Sequence, residues 1–121
     1  MYPIASVLHA GGRIVGGSDW PVSSMNPLEA IQVAVTRSDP TGRGTAVLNE
    51  AERVTLADML AAYTINGAYL MHQENETGSL EVGKAADLVV LERDLFKTPA
   101  KDIGAVAVTR TILDGATIYS R

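Results

Sequence analysis

The chain has 121 residues, with 10 Lys and Arg against 14 Asp and Glu for a formal charge of -4, 46% apolar and 5% aromatic residues, and no cysteine. Such values fit one globular domain or a piece of one, able to bury about two thirds of its unfolded surface, and they exclude disulfides, catalytic thiols and thiolate metal sites. The mild acidity without a basic run leaves no footprint for nucleic acid or anionic lipid, no apolar stretch approaches the roughly 20 residues of a membrane span, and the opening Met-Tyr-Pro-Ile-Ala-Ser lacks a secretory head, which points to the cytoplasm.

In chain order, Pro3 to Ala10 predicts a short helical turn stopped by Gly11-Gly12, since glycine supplies the left-handed conformation that follows a helix. Arg13-Ile14-Val15 is the β-branched run of a strand, closed by Gly16-Gly17-Ser18-Asp19, and Trp20-Pro21 forces a loop. Asn26-Pro27-Leu28-Glu29 is a helix start, with Asn as cap, Pro at the first helical position and Glu three residues after the cap. That helix should reach about Arg37 and carry a stripe of Leu28, Ile31 and Val35. Residues 37–50 hold Pro40, Gly42 and Gly44 and are long for a connection, as lids and disordered loops are. Thr55 caps a second helix with Asp58 as reciprocal partner, Val54 and Met59 stapling its entry, and Leu56, Met59, Leu60, Tyr63 and Leu70 on one apolar face. After Thr77-Gly78 the period changes. Leu88 to Leu91 and Ala105 to Leu113 read as strands, and Asp114-Gly115 before Ala116-Thr117-Ile118-Tyr119 is a two-residue hairpin signal. The tail is therefore expected to be a mainly antiparallel sheet, with Leu88, Val90, Val106 and Val108 in its buried layer. The fold class is thus α/β followed by β.

Few residues offer chemistry. The two histidines, His9 and His72, lie far apart on different elements, and no His-x-His or His-x-x-x-His pair exists, so the chain cannot supply a three-ligand zinc site by itself. Each histidine sits near a helix end, where interaction with the helix dipole or plain solvent exposure accounts for it. Asp19 follows a strand directly at its carboxyl end, where barrel and doubly wound folds collect catalytic groups, although an Asx turn capping the loop would place an aspartate there too. Ser18 lacks the Gly-x-Ser-x-Gly frame of a nucleophile, and the glycines at 11, 12, 16 and 17 fit no nucleotide-binding fingerprint. Asn75-Glu76-Thr77 matches a glycosylation acceptor only by chance in a chain without a secretory signal. Asp87 and Asp114 suit turn or edge roles, and Lys84 reads as a solvated turn residue.

Five strings occur in one order: Gly-Ser-Asp-Trp-Pro-Val (Gly17 to Val22), Asn-Pro-Leu (Asn26 to Leu28), Ala-Val-Thr-Arg (Ala34 to Arg37), Ala-Tyr-Thr-Ile-Asn-Gly-Ala-Tyr (Ala62 to Tyr69) and Gly-Ser-Leu-Glu-Val-Gly-Lys-Ala-Ala-Asp-Leu-Val-Val-Leu (Gly78 to Leu91). Together they resemble the C-terminal portion of the metal-dependent amidohydrolases, in the branch that contains N-substituted formamide deformylases. The resemblance implies a (β/α)8 barrel with a β-sandwich. Residues 1–77 would be the barrel's C-terminal end, with Arg13 to Gly17 as its last strand and the two helices in its outer layer, and residues 78–121 the C-terminal share of the sandwich. It implies that Asp19 binds a divalent metal, zinc, in the complete enzyme and moves a proton from the attacking water to the leaving nitrogen of a small-molecule amide. A complete barrel takes about 250 residues, and the histidine ligands of the family's earlier strands have no counterpart here. The chain is therefore expected to be a C-terminal fragment that holds no metal and is inactive alone, with Leu28, Ile31 and Val35 and with Leu56, Leu60 and Tyr63 left as exposed apolar patches that join it to the missing barrel portion or self-associate it as a homo-oligomer. The alternative is a non-catalytic, self-associating module.

Overall fold

The computed structural model describes residues 2–44 and 46–121. Four helices lead: α1 (Ile4–His9), α2 (Pro27–Thr36), α3 (Leu56–Ala62) and α4 (Ile65–Leu70). Three strands follow, β1 (Leu88–Leu91), β2 (Val108–Leu113) and β3 (Ala116–Ser120), with 3-10 helices at Glu50–Glu52, Leu95–Lys97 and Ala100–Ala105. No described helix is long and apolar enough to cross a membrane.

Local chemistry sets the helix ends. α1 stops where Gly11 turns left-handed, φ 79°, so that Gly11 N–H donates to Leu8 O and Gly12 N–H to Val7 O, each at 2.9 Å, consuming carbonyls the helix end leaves free. Asn26 caps α2 by accepting from Leu28 N–H at 3.0 Å. Thr55 and Asp58 complete a reciprocal cap on α3, each side chain accepting the other's backbone N–H at 3.1 Å. α2 ends at Arg37, which takes up φ 57° and exchanges bonds with Leu48. Arg37 O accepts from Leu48 N–H at 2.8 Å and Leu48 O accepts from Arg37 Nε at 3.1 Å, so the long connection is closed at its base.

The sheet is antiparallel in the order β1-β2-β3. Its hairpin turns through Asp114 and Gly115, both at positive φ (48° and 77°), as a two-residue turn between right-twisted strands requires. Asp87 fastens it from the side, accepting from Asp114 N–H at 2.7 Å.

The core lies between α2 and the 3-10 helix Ala100–Ala105. Ile31 and Ile103 are the most deeply buried large side chains, with Leu28, Ala34, Met59, Leu95 and Val106 around them. Two polar side chains, one on α2 and one at its cap, hold the contact: Gln32 Oε1 accepts from Gly104 N–H at 2.8 Å and Asn26 Nδ2 donates to Gly104 O at 3.0 Å. A Cβ at residue 104 would lie 2.9 Å from that Gln32 oxygen and 3.2 Å from the Glu29 Cα, so a larger residue would have to push the Gln32 side chain off its bond or move α2 away.

Five expectations need correction. The run Arg13-Ile14-Val15 pairs with no strand among the described residues; the segments beside it are helical, and it bonds to Asn66 and, through Gly16, to Ala62. The second helix breaks at Tyr63-Thr64, where Thr64 leaves helical geometry (φ -132°, ψ -99°), and the break turns Leu70 out to 62% exposure. β2 begins at Val108, because residues 100–105 coil into the 3-10 helix that covers α2. Val90 is exposed while Leu88 and Val108 are half-buried and Val106 is buried. Finally, the stripe of Leu28, Ile31 and Val35 does not form an open apolar patch. The chain's own tail covers it, and Leu56, Leu60 and Tyr63 are half-buried as well.

Candidate functional site

Between Gly12 and Ser18 the backbone runs without helix, turn or bend, then reverses through Asp19 and Trp20. Ile14 O accepts from Asn66 Nδ2 at 2.9 Å and Gly16 N–H donates to Ala62 O at 3.0 Å, so α3 and α4 fix the run from one side. Tyr63 lies across Gly16, where a Cβ would sit 2.4 Å from its ring, and burial pushes the Tyr63 phenol pKa up.

Asp19 occupies the end of this run at φ 51° and is exposed. Its carbonyl accepts from Val22 N–H at 2.8 Å, Ser18 Oγ accepts from Trp20 N–H at 3.3 Å, and the Ser23 hydroxyl donates to Ser18 O. The loop is thus tied by Ser18 and Ser23. The Asp19 carboxylate has no hydrogen-bond partner among the described residues. An Asx turn would need an N–H two residues on, and that residue is Pro21, which has none. The carboxylate is chemically unspent.

The other candidates do not converge on it. His9 ends α1 and His72, at φ 58°, follows α4; both are exposed. Among the described residues no three His, Asp or Glu side chains stand close enough to hold a metal ion. Open catalytic zinc sites normally use three protein ligands, so Asp19 alone does not make a metal site and no metal-dependent step follows from these residues.

Four features escaped the sequence reading. Lys84 is not solvated: its side chain is 11% exposed, and Nζ donates to Glu74 O at 2.5 Å and Ser79 Oγ at 2.6 Å. Glu52 is buried against α1, accepting the backbone N–H of Ser6 at 3.0 Å and the Ser6 hydroxyl, which hold its carboxyl pKa below the ordinary value. The Arg13 guanidinium lies 3.8 Å from the Tyr69 ring centroid. An open groove of about 680 Å³ follows the run, lined by Val7, Ile14, Val15, Val33, Met59 and Tyr63 among others. The Glu52 and Arg13 contacts and the groove join residues distant in sequence, and the Lys84 bonds depend on how its own loop folds back over five and ten residues; no local motif signals any of them.

Comparison with known proteins places this geometry in context. The chain is 37% identical over 121 residues to an N-substituted formamide deformylase of Arthrobacter pascens, covering 100% of itself and 22% of that protein. It is 35% identical over 118 residues to the Arabidopsis thaliana protein LONG AFTER FAR-RED 3, covering 98% of itself and 20% of that protein. The crystal structure of an amidohydrolase from Thermotoga maritima MSB8 matches with a TM-score of 0.61 at 32% identity, over 98% of this chain and 26% of that one. The chain therefore spans about a quarter or less of the length of these relatives. The amidohydrolase family profile matches residues 1–119, and the chain belongs to that family.

Proposed function

We propose that this chain forms the C-terminal end of an amidohydrolase that cleaves a carbon–nitrogen bond of amide type in a small cytoplasmic substrate, with Asp19 as its acid–base carboxylate. On this reading residues 1–77 close a (β/α)8 barrel, with the run Arg13 to Gly17 as its last strand, and residues 78–121 contribute to a β-sandwich. The observation that carries it is the unspent Asp19 carboxylate at the carboxyl end of that run, in a chain matched to the family over residues 1–119.

The chemistry asked of Asp19 is proton movement. Its carboxylate takes a proton from water as the water oxygen bonds to the acyl carbon. It returns that proton to nitrogen as the carbon–nitrogen bond breaks, giving an acid and an amine. The divalent metal of the complete enzyme, zinc in this reading, takes its remaining ligands from outside the described residues, and the chain alone is inactive.

A chimera tests the proposal. Replacing the matching segment of the Arthrobacter pascens deformylase with this chain should give a folded protein that releases amine from an N-substituted formamide. A chimera with a cooperative melt and no hydrolysis would contradict it.

A further inference from the structure

We propose that the break between α3 and α4 is a clamp on the run that carries Asp19, with Tyr63 and Asn66 as its positioning residues, a role that rests on Asp19 being the acid–base carboxylate proposed above. In an unbroken helix the carbonyl of residue 62 accepts from the N–H of residue 66. Here α3 ends at Ala62, Thr64 leaves helical geometry, and α4 begins at Ile65. Ala62 O accepts instead from Gly16 N–H at 3.0 Å. Asn66, in the first turn of α4, reaches the same run with its side chain: Nδ2 donates to Ile14 O at 2.9 Å, across 52 residues of sequence. Tyr63, at the break itself, lays its ring on Gly16, where a Cβ would stand 2.4 to 2.6 Å from three ring carbons. Residues 62, 63 and 66 thus grip the run at two alternate residues. Every one of these contacts is already made within the chain.

The grip ends three residues short of Asp19. Between the two, the Ser23 hydroxyl donates to Ser18 O and Val22 N–H donates to Asp19 O at 2.8 Å, so the turn is tied to itself and follows the run. Movement of the run is therefore movement of the carboxylate. A methyl at residue 16 needs about 1 Å of displacement to reach ordinary contact with the Tyr63 ring. A misplacement of about 1 Å costs up to roughly a hundredfold in rate.

In the deformylase chimera, Tyr63→Ala, Asn66→Ala and Gly16→Ala should each lower kcat at least about tenfold with KM within about twofold, because the altered contacts are to the backbone of the run. Tyr63→Phe keeps the three ring carbons and should restore kcat. Gly16→Ala combined with Tyr63→Ala gives the methyl the space the ring has left, so the pair should turn over faster than Gly16→Ala alone. Thr55→Ala weakens the α3 cap without touching the run and should leave kcat unchanged. Hydrogen exchange in the chain itself gives a readout without catalysis. The Gly16 N–H should exchange at least about tenfold more slowly than the Gly17 N–H, which has no partner among the described residues, and Asn66→Ala should remove most of that difference. Parent kcat in Asn66→Ala and Gly16→Ala while Asp19→Asn loses turnover would overturn the clamp and leave the reading of Asp19 standing. Equal loss in Thr55→Ala, a double variant no faster than Gly16→Ala, or equal exchange at Gly16 and Gly17 would do the same. Undiminished kcat in Asp19→Asn would overturn both.

Discussion

Replacing Ile31 by alanine tests whether the contact between α2 and the 3-10 helix Ala100–Ala105 holds the chain together. Ile31 is 2% exposed and its neighbour Ile103 is 1% exposed, so the change deletes three carbon groups from a site already excluded from water. At about 0.8 kcal/mol for each buried group, the transfer loss is about 2.4 kcal/mol. The cavity adds to it, because Ile103 is itself pinned by the bonds from Gln32 and Asn26 to Gly104 and cannot move in to fill the space. The expected loss is about 3–4 kcal/mol, a large share of the 5–15 kcal/mol that stabilises a typical domain. Urea unfolding at fixed protein concentration reads it as a midpoint lowered by roughly 2 M with an unchanged slope. Val22→Ala, at an 80% exposed site, should shift stability by less than about 0.5 kcal/mol. A loss below about 1 kcal/mol for Ile31→Ala would mean that this contact is not the core.

Other perturbations probe the caps, the turns and the buried carboxylate. Thr55→Ala breaks the reciprocal cap with Asp58 and should cost about 1 kcal/mol; no change in the melting midpoint would show that α3 is held by packing alone. Gly78→Ala should cost more than about 2 kcal/mol, because its φ is 87° and the new methyl would lie 2.6 Å from the Ala68 Cβ. Gly42→Ala, also at positive φ but in open space, should cost only about 1 kcal/mol, and equal losses at the two sites would refute the steric argument. The Ser6 hydroxyl and N–H hold the Glu52 carboxyl below the ordinary glutamate value, so in acid the unfolded chain binds more protons than the folded one. The stability from Glu52 is therefore complete above that value and lost as pH falls through the lower folded one. Glu52→Gln should flatten this acid limb of the urea midpoint against pH, and an unaltered limb would remove Glu52 from the account of acid sensitivity.

Structure set by neighbouring residues was legible in the sequence, and structure set by distant partners was not. Asn26, Thr55, Gly11 and the Asp114-Gly115 turn act within a few residues of themselves, and each performs the role its chemistry suggests. The pairing of Arg13-Ile14-Val15 depends on a neighbouring strand, so β-branched composition alone could not decide it. Gly104 reads as an ordinary loop glycine until Gln32, 72 residues away, is placed against it. Lys84 misled for the same reason, since its acceptors belong to a fold that buries a side chain usually left in water. Asp19 was singled out by its position after the run, with an Asx turn left as the other reading; the described backbone disfavours that turn, since the N–H it needs would come from Pro21.

Asp19→Asn in the deformylase chimera tests the role of this carboxylate most directly, because the substitution keeps the side chain's shape and removes its capacity to accept a proton. With the parent chimera and the variant matched in melting temperature, kcat for an N-substituted formamide should fall at least about a hundredfold, the typical loss when general acid–base help is removed. Undiminished kcat in the folded Asp19→Asn chimera would contradict the assignment of Asp19 as the proton-carrying group.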